Sequence, residues 1–328
     1  MLIEIVKIFV DMDKLRTVPK EVEVKLNRDE NKLRTVPIGG QAVLEGVMMR
    51  GPKKIAVAVR KANGEIEVKV EDNVPLYKRH KLLSLPIIRG MAAFVDSLVV
   101  GVRMLSYSAE FFEEEESNLE RFMKDKLKGR YKDFEMGLSL VISIVFAALL
   151  FFVLPTFAAG LIKSPGRVYT NILEGIIRLL VFLAYIGLIS KLKDIQRVFQ
   201  YHGAEHKSIY CYENGLELTV ENARKFTRLH PRCGTNFLLI VMIISIFIFS
   251  FFGWPNFLIR ILSRIILIPI VAGISYELIK WLGKSESKLS KILAYPGLML
   301  QNLTTREPDD SQIEVAIEAI KRILPTEN

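Results

Sequence analysis

The chain has 328 residues, half of them hydrophobic and a quarter charged, with 45 Lys and Arg against 36 Asp and Glu and a positive mean hydropathy. Two cysteines exclude a disulfide-stapled secreted domain, and the lack of a basic-then-apolar leader at Met1 argues against an exported soluble protein. The basic residues flank apolar runs and form no interleaved basic and aromatic patch, so the partner they indicate is the lipid bilayer and not nucleic acid.

Residues 1–37 carry KLRTVP twice, at Lys14–Pro19 and Lys32–Pro37. Two copies are too few for a repeat architecture, so this segment reads as an unordered tail or a short duplication. Residues 38–80 read as a small β-rich cytoplasmic domain. Ile55–Arg60 and Glu65–Val70 alternate apolar and polar residues, the KANG between them is a hairpin turn with Gly64 available for positive φ, and Gly39–Pro52 (GGQAVLEGVMMRGP) supplies a third strand.

Within 81–135, Leu82–Ala109 is predicted as an amphipathic helix. Arg89, Asp96 and Arg103 fall seven apart on one face, opposite Leu85, Ile88, Met91, Ala92, Val95, Leu98, Val99 and Val102. It either lies in the membrane interface or packs on the soluble domain or the spans. The acidic run Glu113–Glu116 and the basic residues after it form a solvated linker.

Residues 136–282 contain four stretches apolar enough to span a bilayer. They are Met136–Ile162 with a kinking Pro155, Ile172–Leu192 with Glu174 and Arg178 paired at i,i+4, Phe237–Trp254, and Phe257–Leu282 with Arg260, Arg264, Glu277 and Lys280 toward its ends. Charges near span ends can snorkel. Lys and Arg density alternates along the connections: high before the first span, low after it, high again between Lys191 and Asn236, low, then high at Lys284, Lys288 and Lys291. Both termini and the 193–236 loop are therefore expected in the cytoplasm, with the protein multi-pass in the cytoplasmic membrane. The segment 283–328 ends in an amphipathic helix, Ser311–Leu324, with Ser311 as its cap and Ile313, Ala316, Ile317, Ile320 and Leu324 on one face. The fold class is thus an α-helical polytopic membrane protein of about four transmembrane helices, with a small β-containing cytoplasmic amino-terminal domain and amphipathic helices.

Three of the four histidines lie between positions 202 and 230, all in the cytoplasmic loop. YHGAEHK holds His202 and His206 four apart, on one helical face, with Glu205 between them. This H-x-x-E-H order suits two metal-binding imidazoles and a carboxylate acting on a water. HPRCGT adds His230 and Cys233 three apart, a spacing for a tight metal-binding turn. If all four bind, the shell is closed and structural; if three bind, a position stays open for metal-assisted hydrolysis with Glu205 as general base. Glu205 lies about 100° around the helix from His206, so it can instead be an orienting group. The alternative for all three histidines is a set of polar residues at the membrane interface. Cys211 reads as a packing residue. Glu213, Glu217 and Glu221 read as a turn and exposed helix faces, although one of them could add a carboxylate ligand. Glu277 either reaches the site from the fourth span or pairs with Lys280 or Lys284.

GGQAVLEGVMMRGP, YHGAEHKSIYCYENG, HPRCGTNF, GISYE and PGLMLQNLTTREP together resemble the bacterial YqhQ-like membrane proteins, a domain-of-unknown-function family described as predicted metal-dependent enzymes. The resemblance covers Ile38 to Leu324. It implies a divalent metal held by His202, His206, His230 and Cys233 with Glu205 as catalytic residue, and Arg50, Arg232 and Asn236 as site neighbours. Mixed imidazole and thiolate donors favour zinc. Two functions follow: a metal-dependent hydrolase acting on a membrane-associated peptide or lipid, or a non-enzymatic scaffold for other membrane proteins with a structural metal. Transport ranks below both, because the spans hold few polar groups at mid-depth.

Overall fold

The computed structural model describes residues 38–112, 131–162, 166–252, 256–282, 285 and 287–324. The doubled KLRTVP and the Glu113–Glu116 run lie outside the described residues. In chain order the elements are β1 (Gly39–Val43), β2 (Gly46–Arg50), β3 (Lys54–Arg60), β4 (Ile66–Asp72), α1 (Leu76–Arg79), α2 (Ile88–Ala109) and α3 (Tyr131–Ala148). A π-helical turn, Leu149–Val153, leads into α4 (Leu154–Leu161), followed by α5 (Arg167–Ile189), α6 (Lys193–Glu213) and α7 (Val220–Arg224). The last are α8 (Gly234–Ser250), α9 (Phe257–Leu282), α10 (Lys288–Thr304) and α11 (Asp310–Ile323). Two compact units result, with the chain passing from one to the other after Phe111, Tyr185, Val241 and Val271.

The first unit is built on an antiparallel meander, β1-β2-β3-β4. Where the sequence predicted one strand over Gly39–Pro52, the chain folds back on itself, pairing Val43 with Gly46. The turn residues Leu44 and Glu45 carry none of the usual hairpin chemistry, and Glu45 takes a left-handed φ of 49°. Gly46 is required here because a Cβ would collide with the Ala58 carbonyl of β3. Gly64 has the expected positive φ, 88°.

The core of this unit joins Val47, Met49, Ala56 and Ala58 of the sheet to Tyr201 and Ala204 of α6 and to Ile313, Ala316, Ile317 and Ile320 of α11. The apolar face expected of α11 is buried, but its cap is Asp309, not Ser311. The Asp309 carboxylate accepts from the Gln312 amide, and the Gln312 side chain returns to the Asp309 amide. Ser311 instead donates to Asp309.

Helix α2 starts at Ile88, later than Leu82, because Pro86 disfavours helical backbone before it and Ile87 has a φ of 68°. Its polar face meets the sheet. Asp96 pairs with Arg50, Arg103 with Glu71 at 2.9 Å, and Ser108 Oγ accepts from the Leu44 amide. The apolar face, with Val95, Leu98 and Val99, is left exposed, Val99 at 62%. Exposed Lys78, Arg79 and Lys81 precede this face. Elsewhere in the unit Gly90 of α2 lies against Gly273 at the end of α9, where a Cβ on either glycine would clash.

Among the described residues, three helical stretches are long and apolar enough to cross a membrane: Phe134–Leu161, Val168–Ile189 and Leu258–Leu282. The sequence predicted four. The remaining one, α8, is apolar but has 17 residues, because Phe251 and Phe252 leave the helix. At 1.5 Å per residue it rises roughly 26 Å, the low end of spanning length.

In the second unit Pro155 brings no amide to the carbonyl of Phe151, four residues earlier, and the π turn sits directly before it. Arg178 Nε of α5 donates to that carbonyl at 2.9 Å. Gly175 admits the Ile246 side chain of α8, a close approach typical of membrane helices. Glu174, Arg178, Arg260 and Arg264 do not snorkel: all four are buried and converge.

Candidate metal centre

Helix α6 presents His202 and His206 one turn apart, their ring centroids separated by 4.5 Å. Cys233 reaches them from the turn before α8. One ligand atom from each of the three lies within 4.8 Å of the other two. Ligand atoms around a tetrahedral zinc stand roughly 3.3–3.8 Å apart, given Zn–N of about 2.0 Å and Zn–S of about 2.3 Å, so small side-chain movements close the group. His202 Nε2 already stands 3.1 Å from Cys233 Sγ.

The two imidazoles are oriented by backbone carbonyls, which can only accept. His202 Nδ1 donates to Thr304 O at 2.8 Å, and His206 Nδ1 donates to Arg228 O at 2.5 Å. Each ring therefore carries its proton on Nδ1 and turns the Nε2 lone pair inward, the arrangement found around protein-bound metals. His206 is 1% exposed, and its Nε2 has no hydrogen-bond partner among the described residues. Burial holds this imidazole below its ordinary pKa, with the Cys233 charge opposing. Burial pushes the Cys233 thiol up, but His206, the Thr235 hydroxyl and the Thr235 amide outweigh it and leave the thiol below its usual value. Two imidazoles with Nε2 turned inward and a thiol held below its usual pKa are the donor set a divalent metal needs, and the orphaned Nε2 of His206 is a buried polar atom that such an ion would satisfy. The cluster could hold a metal.

His230 is not in the group of three. Its Nδ1 accepts from the Arg232 amide at 3.2 Å and its Nε2 lies 3.4 Å from Glu213 Oε2. Both nitrogens are thus engaged, and the ring centroid is 5.6 Å from that of His206. Glu213, which the sequence assigned to a turn or exposed face, holds His230 and pairs with Arg232. Glu277 pairs with Arg89 through contacts of 2.7 Å, and neither reaches the histidines nor depends on Lys280. Cys211 sits in the core and donates to Glu217 O.

Glu205 is buried beside the three donors and faces the sheet. A Cβ on Gly40 would lie 2.8 Å from its carboxyl carbon, and the Gly40 backbone hydrogen-bonds it. Its Oε2 has no partner among the described residues. Burial raises this carboxyl to about 8; His202 opposes, Cys233 adds to the rise and Gly40 opposes. Gly40, the second residue of GGQAV, therefore belongs to the site. Arg50 and Asn236, also expected nearby, have structural partners: Arg50 binds Asn73 and Asp96, and Asn236 donates to Pro231 O.

The frame around the donors comes from two segments that the sequence reading quoted without roles. Gln301 of α10, fully buried, accepts from His230 N and donates to His230 O and Asn236 Oδ1. The strap after it, Thr304–Arg306, crosses α6 at Gly203, where a Cβ would collide with Arg306 O, and Arg306 N donates to Phe199 O. Arg228 donates to Thr305 O at 2.7 Å, and buried Lys207 donates to Phe226 O at 2.8 Å and pairs with Glu307. Carbonyl ligation by a glycine-permitted crossing leaves no side-chain pattern to read, which is why these partners were not legible.

The family model described as "Protein of unknown function (DUF1385)" matches residues 85–326. The chain is 36% identical over 299 residues to the "Uncharacterized protein YqhQ" of Bacillus subtilis (strain 168), covering 88% of this chain and 92% of that protein. No solved structure matches it significantly.

Proposed function

We propose that this chain, which belongs to the DUF1385 family of proteins of unknown function, is a zinc-dependent hydrolase of the cytoplasmic membrane acting on a membrane-associated peptide or lipid. The observation that carries the reading is the convergence of His202, His206 and Cys233 while both nitrogens of His230 are engaged elsewhere. Three protein donors leave a tetrahedral ion one open position, the hallmark of catalytic sites.

Zinc bound there supplies Lewis acidity. The chain's own residues do the rest. Thr304 and Arg228 carbonyls hold the two imidazoles in the ligating tautomer. Glu205, with an unpaired Oε2 beside the donors, takes up a proton from the attacking water when ionised, the minor form at neutral pH for a carboxyl raised to about 8, and returns it to the leaving group. Gly40 packs against that carboxyl and hydrogen-bonds it through its backbone, keeping it in place.

The membrane reading rests on the three spanning-length helices and on charge alternation. The alternating Lys and Arg flanks support alternating crossings with both termini in the cytoplasm. The exposed apolar face of α2, preceded by Lys78, Arg79 and Lys81, suits the headgroup region of the same leaflet.

A second reading, a scaffold for other membrane proteins with a structural metal, is favoured by the depth of the donors, His206 and Cys233 both being buried. The two separate on Glu205→Gln. Peptides and lipids from membranes of cells lacking the chain are compared by mass spectrometry with those of cells carrying the wild type or the variant. The hydrolase reading expects at least one species to be consumed by wild type and to accumulate with the variant at equal zinc content. Identical profiles for wild type and Glu205→Gln would reject it in favour of the scaffold.

A further inference from the structure

The second unit buries a charged group that neither the metal site nor the spanning reading uses. Glu174 of α5 pairs with Arg178 of the same helix at 2.6 Å and with Arg260 of α9, whose Nε lies 2.8 Å from Glu174 Oε2. Arg264 stands 3.7 Å from the same carboxylate, inside ion-pair range but without a hydrogen bond to it. Thr156 donates to Glu174 at 3.2 Å, and Asn171 accepts from Arg264 Nη2 at 2.7 Å. Three guanidiniums share one carboxylate, so this group of four carries a formal excess of two positive charges. Its members are between 1% and 5% exposed, and they sit on helices of spanning length, where uncompensated charge is costly and marks functional sites.

The deficit is sharpest at Arg264. A guanidinium offers five N–H donors. At 1% exposure, Arg264 leaves Nε and Nη1 without any hydrogen-bond acceptor among the described residues, while its Cζ lies 4.3 Å from the centre of the Phe249 ring. Nη1 alone offers two N–H donors without an acceptor, which a phosphate or carboxylate oxygen can take. Glu174 lies about two turns into α5 (Arg167–Ile189) and Arg178 about three, while Arg260 and Arg264 lie about one and two turns into α9 (Phe257–Leu282).

We propose that Arg178, Arg260 and Arg264, gathered on Glu174, form a binding site for a phosphate group between α5 and α9. Two excess positive charges match a phosphate carrying one to two negative charges, and Nη1 of Arg264, without an acceptor among the described residues, is its anchoring donor. In the orientation proposed above, this site faces the extracytoplasmic leaflet. The phosphate comes either from an anionic lipid headgroup or from solution. The inference does not depend on the metal reading.

The full chain is reconstituted into nanodiscs of phosphatidylcholine alone, of phosphatidylcholine with phosphatidylglycerol, or of phosphatidylcholine with inorganic phosphate added, and its thermal unfolding midpoint is measured. Ligand binding to the folded state is expected to raise the midpoint by several degrees. A rise with phosphatidylglycerol alone identifies the lipid headgroup; a rise with inorganic phosphate at matched chloride identifies the diffusible anion. Arg264→Gln abolishes the rise, whereas replacing Lys78, Arg79 and Lys81 by Gln leaves it intact, which separates this site from surface attraction of anionic lipid. Zinc content is expected to be unchanged in Arg264→Gln, so failure here and failure of the metal site read out separately. Should Arg264→Gln not fold in phosphatidylcholine, Arg264→Lys, which keeps the charge and removes the Nη1 donors, is held to the same criterion. The proposal is overturned if neither anion shifts the wild-type midpoint, or if the Arg264 variant is shifted as much as wild type.

Discussion

His202 Nδ1 donates to the carbonyl of Thr304, 2.8 Å away and 102 positions later in the chain. That single bond selects the imidazole tautomer and turns Nε2 onto Cys233. The donor chemistry of His202 is thus set by the carboxyl-terminal strap, not by the helix that carries it.

The division between three donors and His230 predicts a pattern of metal content. Wild type purified without chelator is expected to hold about one zinc per chain, measured by elemental analysis. His202→Ala and Cys233→Ser each remove most of it. His230→Ala keeps the metal and loses thermal stability instead, since Glu213 and the Arg232 amide lose their partner. Loss of metal in His230→Ala equal to that in Cys233→Ser would show a four-ligand, closed shell.

Gly203→Ala tests the strap. The added methyl collides with Arg306 O and displaces Thr304 from His202. Overpacking of this kind costs about 1–3 kcal/mol, and loss of a partner that orients a ligand weakens metal affinity roughly 10–100-fold. A zinc-chelator competition titration measures the second effect. An affinity equal to wild type would mean that the Thr304 carbonyl does not orient the ring.

Glu213 predicts a pH dependence. Burial would raise its pKa, but His230 and Arg232 outweigh burial and hold it below the ordinary carboxylate value. A depressed folded-state pKa stabilises the fold above the unfolded pKa of about 4.3, and the gain is lost as pH falls through the folded value. Glu213→Gln is therefore expected to cost roughly 1–3 kcal/mol at neutral pH. The difference from wild type shrinks below the carboxylate range, followed by thermal unfolding at a series of pH values. A wild-type advantage that persists undiminished in acid would remove the ionised carboxylate as its cause.

The 17-residue length of α8 makes its crossing the decisive topological question. Single cysteines at exposed Lys191 and Asn256 are probed with a membrane-impermeant maleimide on intact cells. Position 256 is expected to react and position 191 to stay protected until the membrane is opened. Protection of both would mean that α8 does not cross.

Periodicity and composition by themselves determined much of this protein. The apolar runs, the alternating basic flanks, the amphipathic faces of α2 and α11 and the i,i+4 pair His202 and His206 are local patterns, and a helix turns them into faces without help from distant residues. The approach of Cys233 to that pair was also legible, as a cluster of rare residue types. Tertiary structure alone decided what each group faces. It turned the charged side of α2 toward the sheet and left its apolar side out. It engaged His230 with Glu213 and the Arg232 amide, paired Glu277 with Arg89, and brought Gly40 against Glu205. It also gathered Glu174, Arg178, Arg260 and Arg264, two pairs that each looked like span-end charges free to reach water, into one buried group. The reason is common to all of these: a polar group removed from water must find a partner within about 3 Å, and which residue stands there depends on how elements tens or hundreds of positions apart are packed.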